Sequence, residues 1–185
     1  HSDAKIAIQL AHAGRKASCE VAWEGGGSLP DNRAWDIIAP SPIPFSADSQ
    51  TPRQMTEDDM ARLIDAFAQA TRWANEAEFD MIEIHGGHGY LISSFISPLS
   101  NTRNDDYGGP LENRMRFPLA VFRAIRENWP DEKPVSMRIS AYDWVEGGTE
   151  VDDAVEIGRM LKEAGIDIID VSSGNVTDDV RPRVE

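Results

Sequence analysis

The segment HGGHGY at residues 85–90 brings together side chains that could act on one substrate. His85 and His88 are separated by two glycines, and Tyr90 follows directly after Gly89. Two imidazoles in one pocket can donate hydrogen bonds to an oxygen that gains negative charge, and a nearby phenol can give a proton. Two alternatives stay open at this point. The histidines and the tyrosine could be purely structural, or they could bind zinc, although only His12 offers a weak third ligand.

Two further polar side chains lie in segments with the composition of buried strands. Gln9 stands near the end of the segment KIAIQL, and Arg138 lies inside the segment VSMRIS. An arginine in an apolar strand is costly unless its charge is paired, so we expect Arg138 to contact an anion or a polar ligand. A salt bridge with a neighbouring carboxylate is the alternative.

Four runs rich in Val and Ile predict the strands of a parallel sheet, because strands covered on both faces are apolar throughout. Amphipathic helical patterns lie between them, which indicates right-handed βαβ units. The stretch 11–50 has no clear period, and we expect it to be a long functional loop after the first strand. The predicted strands are Lys5–Leu10, Phe79–His85, Val135–Ser140 and Ile166–Val171.

Three helices are predicted from apolar stripes at helical spacing. The first follows a Thr56 cap with Asp59 three residues on, the second ends at Pro130, and the third ends at Gly165 in a left-handed position. The stripes are Met60, Leu63, Ile64, Phe67, Thr71 and Ala74, then Met115, Leu119, Phe122, Ile125 and Trp129, then Val151, Ala154, Val155, Gly158 and Leu161.

Composition excludes several classes of protein. The 185 residues carry a formal charge of −14, which argues against a nucleic-acid partner, because phosphate binding needs basic patches. No apolar run is long enough for a membrane span, and we expect a cytoplasmic location. The single cysteine, Cys19, excludes an internal disulfide and a multi-cysteine metal site, and we expect no metal. Because the chain begins at His1 and runs straight into a strand, we expect it to be part of a longer protein.

Five stretches of the chain form a longer pattern: QLAHAGRKA at 9–17, IAPSPIPF at 38–45, EIHGGHGYLISSFISPLSNTRNDDYGGPLENRMRF at 83–117, RISAYD at 138–143 and DVSSG at 170–174. In this order they resemble the old yellow enzyme family of FMN-dependent ene-reductases, in the branch of bacterial NADPH dehydrogenases and 2,4-dienoyl-CoA reductases. The resemblance covers almost the whole chain, and its central stretch is highly specific.

The resemblance implies the α/β class and a (β/α)8 TIM barrel with FMN over the carboxyl ends of its strands. Such barrels typically need about 250 residues, so residues 1–185 would form a partial FMN-binding domain. By position the chain supplies the third to sixth strands. The strands that carry the FMN phosphate site in the family lie outside it, and Cys19 does not match the cysteine that tunes the flavin there.

The resemblance also assigns roles to individual residues. His85 and His88 match the pair that holds the substrate carbonyl, and Tyr90 matches the tyrosine beside it and is the candidate general acid. Gln9 and Arg138 match residues that contact the pyrimidine end of the flavin. A cation at this place stabilises negative charge on reduced flavin. The chain departs from the family where glycines replace the commoner alanines between the two histidines.

The implied activity is that of an FMN-dependent oxidoreductase. Hydride from NAD(P)H would pass through FMN to the C=C bond of a small α,β-unsaturated carbonyl or acyl-CoA thioester. The segments MRFPLAVFRAIRENWP and RISAYDWVEGGT favour an alternative, because they resemble the oxidoreductase part of salicylyl-CoA and 2-aminobenzoyl-CoA hydroxylases. A catalytically inert half-barrel is an alternative of another class. Assembly into a homo-oligomer is left open.

Overall fold

The computed structural model describes residues 3–178. Its strands are β1 (Ala7–Leu10), β2 (Ile38–Ala39), β3 (Arg53–Gln54), β4 (Met81–Gly86), β5 (Val135–Ser140) and β6 (Ile168–Ser172). Its α-helices are α1 (Glu57–Glu76), α2 (Leu91–Ile96), α3 (Leu111–Arg114), α4 (Arg116–Asn128) and α5 (Val151–Ala164).

The main sheet has the order β1-β4-β5-β6, and all of its strand pairs are parallel. These are the four predicted strands, and their observed ends lie within two residues of the predicted ones. Helices α1, α4 and α5 connect them, as βαβ units require. Among residues 3–178, β1 and β6 form the two open edges of this sheet. The arrangement is that of part of a β/α barrel.

The long segment before α1 has some regular structure. Two short 3₁₀ turns lie at Gly14–Lys16 and Ala22–Glu24, and β2 pairs in parallel with β3. The backbone N–H of Arg53 donates to the carbonyl of Ile37, which ties the end of the segment to its middle. The segment is therefore structured, and the backbone N–H of Leu91 donates to the carbonyl of His12, which ties the segment to the chain after β4.

Helix α1 begins at the predicted position and for the predicted reason. The backbone N–H of Asp59 donates to Thr56 Oγ1 at 3.1 Å, and the backbone N–H of Thr56 donates to Asp59 Oδ2 at 2.9 Å. This reciprocal pair satisfies two N–H groups that an uncapped helix leaves free. A hydrogen bond from Arg53 is the largest cause of the lowered pKa of the Asp59 carboxyl.

Two parts of the helix prediction were incomplete. The stripe of α5 centres on Ile157 and Leu161, which are buried, whereas Val151 and Val155 are exposed. The predicted stripe was therefore wrong at these two valines, because the face that packs is rotated away from them around the helix. Helix α2 was missed altogether. All six of its residues are buried, so it has no polar face to reveal a helical period.

The two faces of the main sheet have opposite character. One face packs against the helices through fully buried side chains, among them Ile82, Ile84, Met137 and Ile139. The other face carries polar side chains, because successive residues of a strand point to opposite sides. In a β/α barrel the face away from the helices is the barrel interior. The candidate site lies on this polar face.

Candidate active site

Strand register aligns the predicted site residues in rows across the polar face. Gln9 of β1 lies beside Glu83 of β4, and His85 lies beside Arg138 of β5. Arg138 in turn lies beside Asp170 of β6. Residues in register on neighbouring parallel strands point to the same face, so the sheet alone brings the site residues together.

The first row is connected by hydrogen bonds. Gln9 Nε2 donates to Glu83 Oε1 at 2.6 Å, and Ser136 Oγ donates to Glu83 Oε2 at 3.0 Å. The carboxylate of Glu83 therefore fixes the orientation of the exposed Gln9 amide. The chain sequence places Glu83 two residues before His85, but nothing in the sequence showed that it would accept this bond.

Arg138 has a carboxylate partner, as the salt-bridge alternative predicted. Its Nε lies 3.5 Å from Asp170 Oδ2, and both side chains are partly exposed. Within residues 3–178, however, Arg138 Nε makes no hydrogen bond. Asp170 therefore balances the charge of Arg138 without accepting a hydrogen bond from Nε, which leaves that donor without a protein partner in this part of the chain.

The turn after β4 is held in a left-handed conformation. His88 has φ +60° and Gly89 has φ +72°, and the backbone N–H of His88 donates to Ser140 Oγ at 2.9 Å. Ser140 Oγ also donates to the carbonyl of Gly174 at 3.2 Å. A non-glycine residue at positive φ is strained, so the surrounding structure must compensate for His88. Ser140 provides one of these contacts.

Helix α2 fixes the far end of this turn. Tyr90 is its N-cap residue, and the carbonyl of Tyr90 accepts the backbone N–H of Ser94 at 2.8 Å. Ser94 Oγ donates to the carbonyl of Gly89 at 3.0 Å. Helix α2 therefore fixes the position of Tyr90.

The three predicted catalytic side chains form one cluster. The ring centroids of His85 and His88 are 5.3 Å apart, and those of His85 and Tyr90 are 5.1 Å apart in an edge-on arrangement. They line a cleft of about 560 Å³ together with Gln9, Ala11 and Ala13. The structure thus brings the His-Tyr cluster and one predicted flavin contact into the same cleft.

The two imidazoles differ in their hydrogen bonding. His85 is 7% exposed, and within residues 3–178 neither of its ring nitrogens has a hydrogen-bond partner. His88 Nε2 lies 2.6 Å from Ser172 Oγ at the end of β6. A buried polar group without a partner costs free energy, and it is expected where a ligand supplies the partner. His85 is therefore the group best placed to bind a ligand oxygen.

Both imidazoles are neutral near pH 7. Burial is the largest cause of the lowered pKa of His85, and the charge of Arg138 lowers it further. Burial also lowers the pKa of His88, followed by the effects of His85 and Arg138. Each ring then carries one N–H donor and one acceptor nitrogen.

The structure adds residues that sequence reasoning missed. Ser172 lies in the stretch DVSSG, and its role depends on a contact 84 positions away along the chain. Lys16, in the long segment before α1, donates from Nζ to the carbonyl of His88 at 2.9 Å. The only signal for Lys16 in the sequence is the RK pair in HAGRKA. Two adjacent cations before a loop are common on protein surfaces, so the pair does not single out Lys16.

Gly89 is the position of the turn with the least space for a side chain. A Cβ there would lie 2.4 Å from the carbonyl oxygen of Asn175, whereas at Gly109, which also has positive φ, a Cβ would meet nothing within 4 Å. Gly109→Ala should cost only the left-handed strain, about 1–2 kcal/mol of the free energy of unfolding. Gly89→Ala should cost clearly more and should also displace Tyr90. Chemical unfolding of both full-length variants measures the difference, and equal losses would show that the turn has room to relax.

Among residues 3–178, no group of three or more His, Cys, Asp or Glu side chains could hold a metal ion. Over the same residues, no helix is both long and apolar enough to cross a membrane.

The histidine pair, the tyrosine and the arginine lie near the carboxyl ends of the strands. Enzymes with a β/α barrel have their active sites at that end. The chain matches the NADH:flavin oxidoreductase / NADH oxidase family over residues 1–185, and it belongs to that family. This confirms the predicted old yellow enzyme family and the predicted half-barrel. FMN and NAD(P)H, the predicted cofactors, are those of the family.

Individual relatives agree with this assignment. The chain is 50% identical over 173 residues to an NADPH dehydrogenase of Geobacillus sp., covering 94% of this chain and 46% of the relative. It thus spans about half the length of the curated relatives it matches. Among solved structures it is similar to a 2-naphthoyl-CoA reductase in complex with 2-naphthoyl-CoA, with TM-score 0.79 and 28% identity over 94% of this chain and 27% of that one. It is also similar to the old yellow enzyme homologue from Zymomonas mobilis, with TM-score 0.73 and 26% identity over 96% of this chain and 52% of that one.

Proposed function

We propose that the full-length protein containing this chain is an FMN-dependent ene-reductase. Its substrate would be a small α,β-unsaturated carbonyl compound or thioester, and its hydride donor NADPH or NADH. The observation that carries the proposal is His85, a buried imidazole with no hydrogen-bond partner among residues 3–178, beside His88 and Tyr90 in one cleft.

The residues present fit FMN at its ring end. Gln9 lines the cleft with its amide fixed by Glu83, and Arg138 retains an Nε donor that Asp170 does not use. These two side chains would hold the pyrimidine end of the flavin, and Arg138 would supply the positive charge there. Bound FMN would accept a hydride from NAD(P)H and deliver it to the β-carbon of the substrate.

The histidines and the tyrosine would handle the oxygen and the proton. Neutral His85 and His88 would each donate an N–H bond to the carbonyl oxygen, which gains negative charge as the hydride arrives. Tyr90 would give its phenolic proton to the α-carbon and recover one from water. The buried position of His85 would strengthen its hydrogen bond to the substrate oxygen, because the local dielectric constant is low.

The proposal is tested by reducing the full-length FMN-loaded protein with NADPH under anaerobic conditions and then adding 2-cyclohexenone. The flavin absorbance should return at a rate that increases with the enone concentration, and cyclohexanone should form. Reoxidation by oxygen alone, with none by a series of enones, would contradict ene-reduction while leaving the family membership intact.

A specific observation favours a thioester substrate as a second candidate. One structural neighbour was solved with 2-naphthoyl-CoA bound, and the segments noted above resemble parts of aromatic acyl-CoA hydroxylases. The same experiment with an aryl-CoA in place of the enone distinguishes the two. Turnover of simple enones, with no turnover of aryl-CoA thioesters, would count against the thioester candidate. The cytoplasmic location stays a prediction, and the homo-oligomer and the inert half-barrel stay open alternatives.

A further inference from the structure

We propose that Lys16 is a positioning residue for the histidine pair: it fixes the left-handed turn at His88 and places a positive charge beside both imidazoles. This inference rests on the proposed function for its catalytic consequence. Its structural part concerns only contacts within this chain.

The ammonium of Lys16 joins three separate parts of the fold. It belongs to the 3₁₀ turn Gly14–Lys16, and Nζ donates to the carbonyl of His88 at 2.9 Å and to the carbonyl of Asn175 at 3.3 Å. His88 and Asn175 both have positive φ, +60° and +64°. One cation thus binds the carbonyls of two strained residues, one after β4 and one after β6.

Aromatic rings occupy the other sides of the ammonium. Lys16 Nζ lies 4.0 Å from the ring centroid of Phe45 and 5.0 Å from that of Tyr90. Both distances are within the range of cation–π attraction. Among residues 3–178, no carboxylate lies within ion-pair distance of Lys16 in a chain with a net charge of −14. The charge of Lys16 is therefore not neutralised locally, and its field acts on the neighbouring groups.

The field of Lys16 reaches both imidazoles. Besides burial, Lys16 contributes to the lowered pKa of His85 and of His88. Arg138 acts in the same direction on both rings, whereas Asp170 opposes it on both. Glu83 also raises the pKa of His85. The cations prevail, and the imidazoles stay neutral to lower pH than free histidine does.

The environment of Lys16 also affects its own charge. Burial, followed by the charge of Arg15, lowers the pKa of Lys16 to about 8. At neutral pH the side chain is therefore largely a cation, and its cation–π contacts and its field on the histidines are present there. As the pH rises through this range, the side chain loses its charge and both interactions weaken.

Three substitutions in the full-length protein separate the charge of Lys16 from its packing. Lys16→Gln keeps a donor for the His88 carbonyl without the charge, Lys16→Met removes both, and Lys16→Arg keeps the charge. Lys133→Met is the matched control, because Lys133 Nζ also lies over a ring, 4.8 Å from that of Trp129, and donates to the carbonyl of Phe79. Imidazole titration is followed by NMR, and the oxidative half-reaction by stopped flow across pH.

We expect the Gln and Met variants to titrate His85 and His88 at higher pH than the wild type. The acid limb of the oxidative half-reaction should move in the same direction, and the rate of this half-reaction should fall about tenfold, a loss typical of coupling between side chains in contact. In the Lys16→Arg and Lys133→Met variants, the acid limb should stay at the pH of the wild type. An unchanged limb and unchanged imidazole titration in the Gln variant would overturn the inference, even if stability falls. The NMR titration needs no substrate. It therefore tests the effect of Lys16 on the imidazoles even if the full-length protein does not reduce enones.

Discussion

Replacing Tyr90 with phenylalanine should slow the oxidative half-reaction of the full-length protein by about 10²–10⁴, the usual contribution of a positioned proton donor. The reduction of FMN by NADPH should stay close to the wild-type rate, because that step needs no proton on a substrate carbon. The phenyl ring retains the edge-on contact with His85 and the cation–π contact with Lys16. The change therefore removes only the hydroxyl. Stopped-flow absorbance of the flavin measures the two half-reactions separately.

Tyr107→Phe provides a control for the loss of a phenol elsewhere in the chain. Tyr107 packs against the hydrophobic core, with Arg103 over its ring, away from the histidine cluster. This variant should keep both half-reactions. Equal slowing of the two half-reactions by Tyr90→Phe would indicate that Tyr90 supports the flavin site. No slowing at all would assign the proton to another donor.

The sheet could be predicted from the sequence because its signals are local. Each strand is a run of Val and Ile between polar or glycine-rich segments, and α1 carries its own capping box at Thr56 and Asp59. Those features depend on neighbours within a few residues. The parallel order followed from the alternation of strands and helices.

Other elements were hidden because their signals are not local. Helix α2 is buried on all sides, so its sequence LISSFI has no amphipathic period. The short strands β2 and β3 are two residues each, below the length at which alternation can be recognised. The buried face of α5 was predicted wrongly because Val151 and Val155 are apolar. Both side chains are exposed in the structure.

The site was predictable to the extent that strand ends collect functional residues. Position at the carboxyl end of β4 marked the histidine pair, and register then aligned His85 with Arg138. The sequence left the charge of Arg138 with two interpretations, an ion pair or a ligand contact. The structure shows why they are compatible: Asp170 lies at ion-pair distance yet takes no hydrogen bond from Nε. Lys16 and Ser172 act on His88 from distant segments, which no local pattern reveals.

Replacing His85 with alanine should lower the rate of the oxidative half-reaction by about 10²–10³, since one donor to a developing oxyanion is worth about 2.7–4 kcal/mol. Flavin reduction by NADPH should change much less. The imidazole is buried and, among residues 3–178, holds no other group through a ring nitrogen. Its removal therefore takes a donor from the substrate without leaving a protein group unpaired. Anaerobic stopped-flow measurements with NADPH and then 2-cyclohexenone give both rates.

His85→Gln is the matched variant, because its amide keeps an N–H donor at nearly the same place. It should retain more of the oxidative half-reaction than alanine does, and it should also unfold at a higher denaturant concentration, because only alanine loses the buried volume of the side chain. If alanine slowed both half-reactions equally, His85 would belong to the flavin site instead of the oxyanion site. The difference between the Gln and Ala rates then reports the hydrogen bond itself, because the buried volume lost at His85 acts on stability and not on the charge that develops in the cleft.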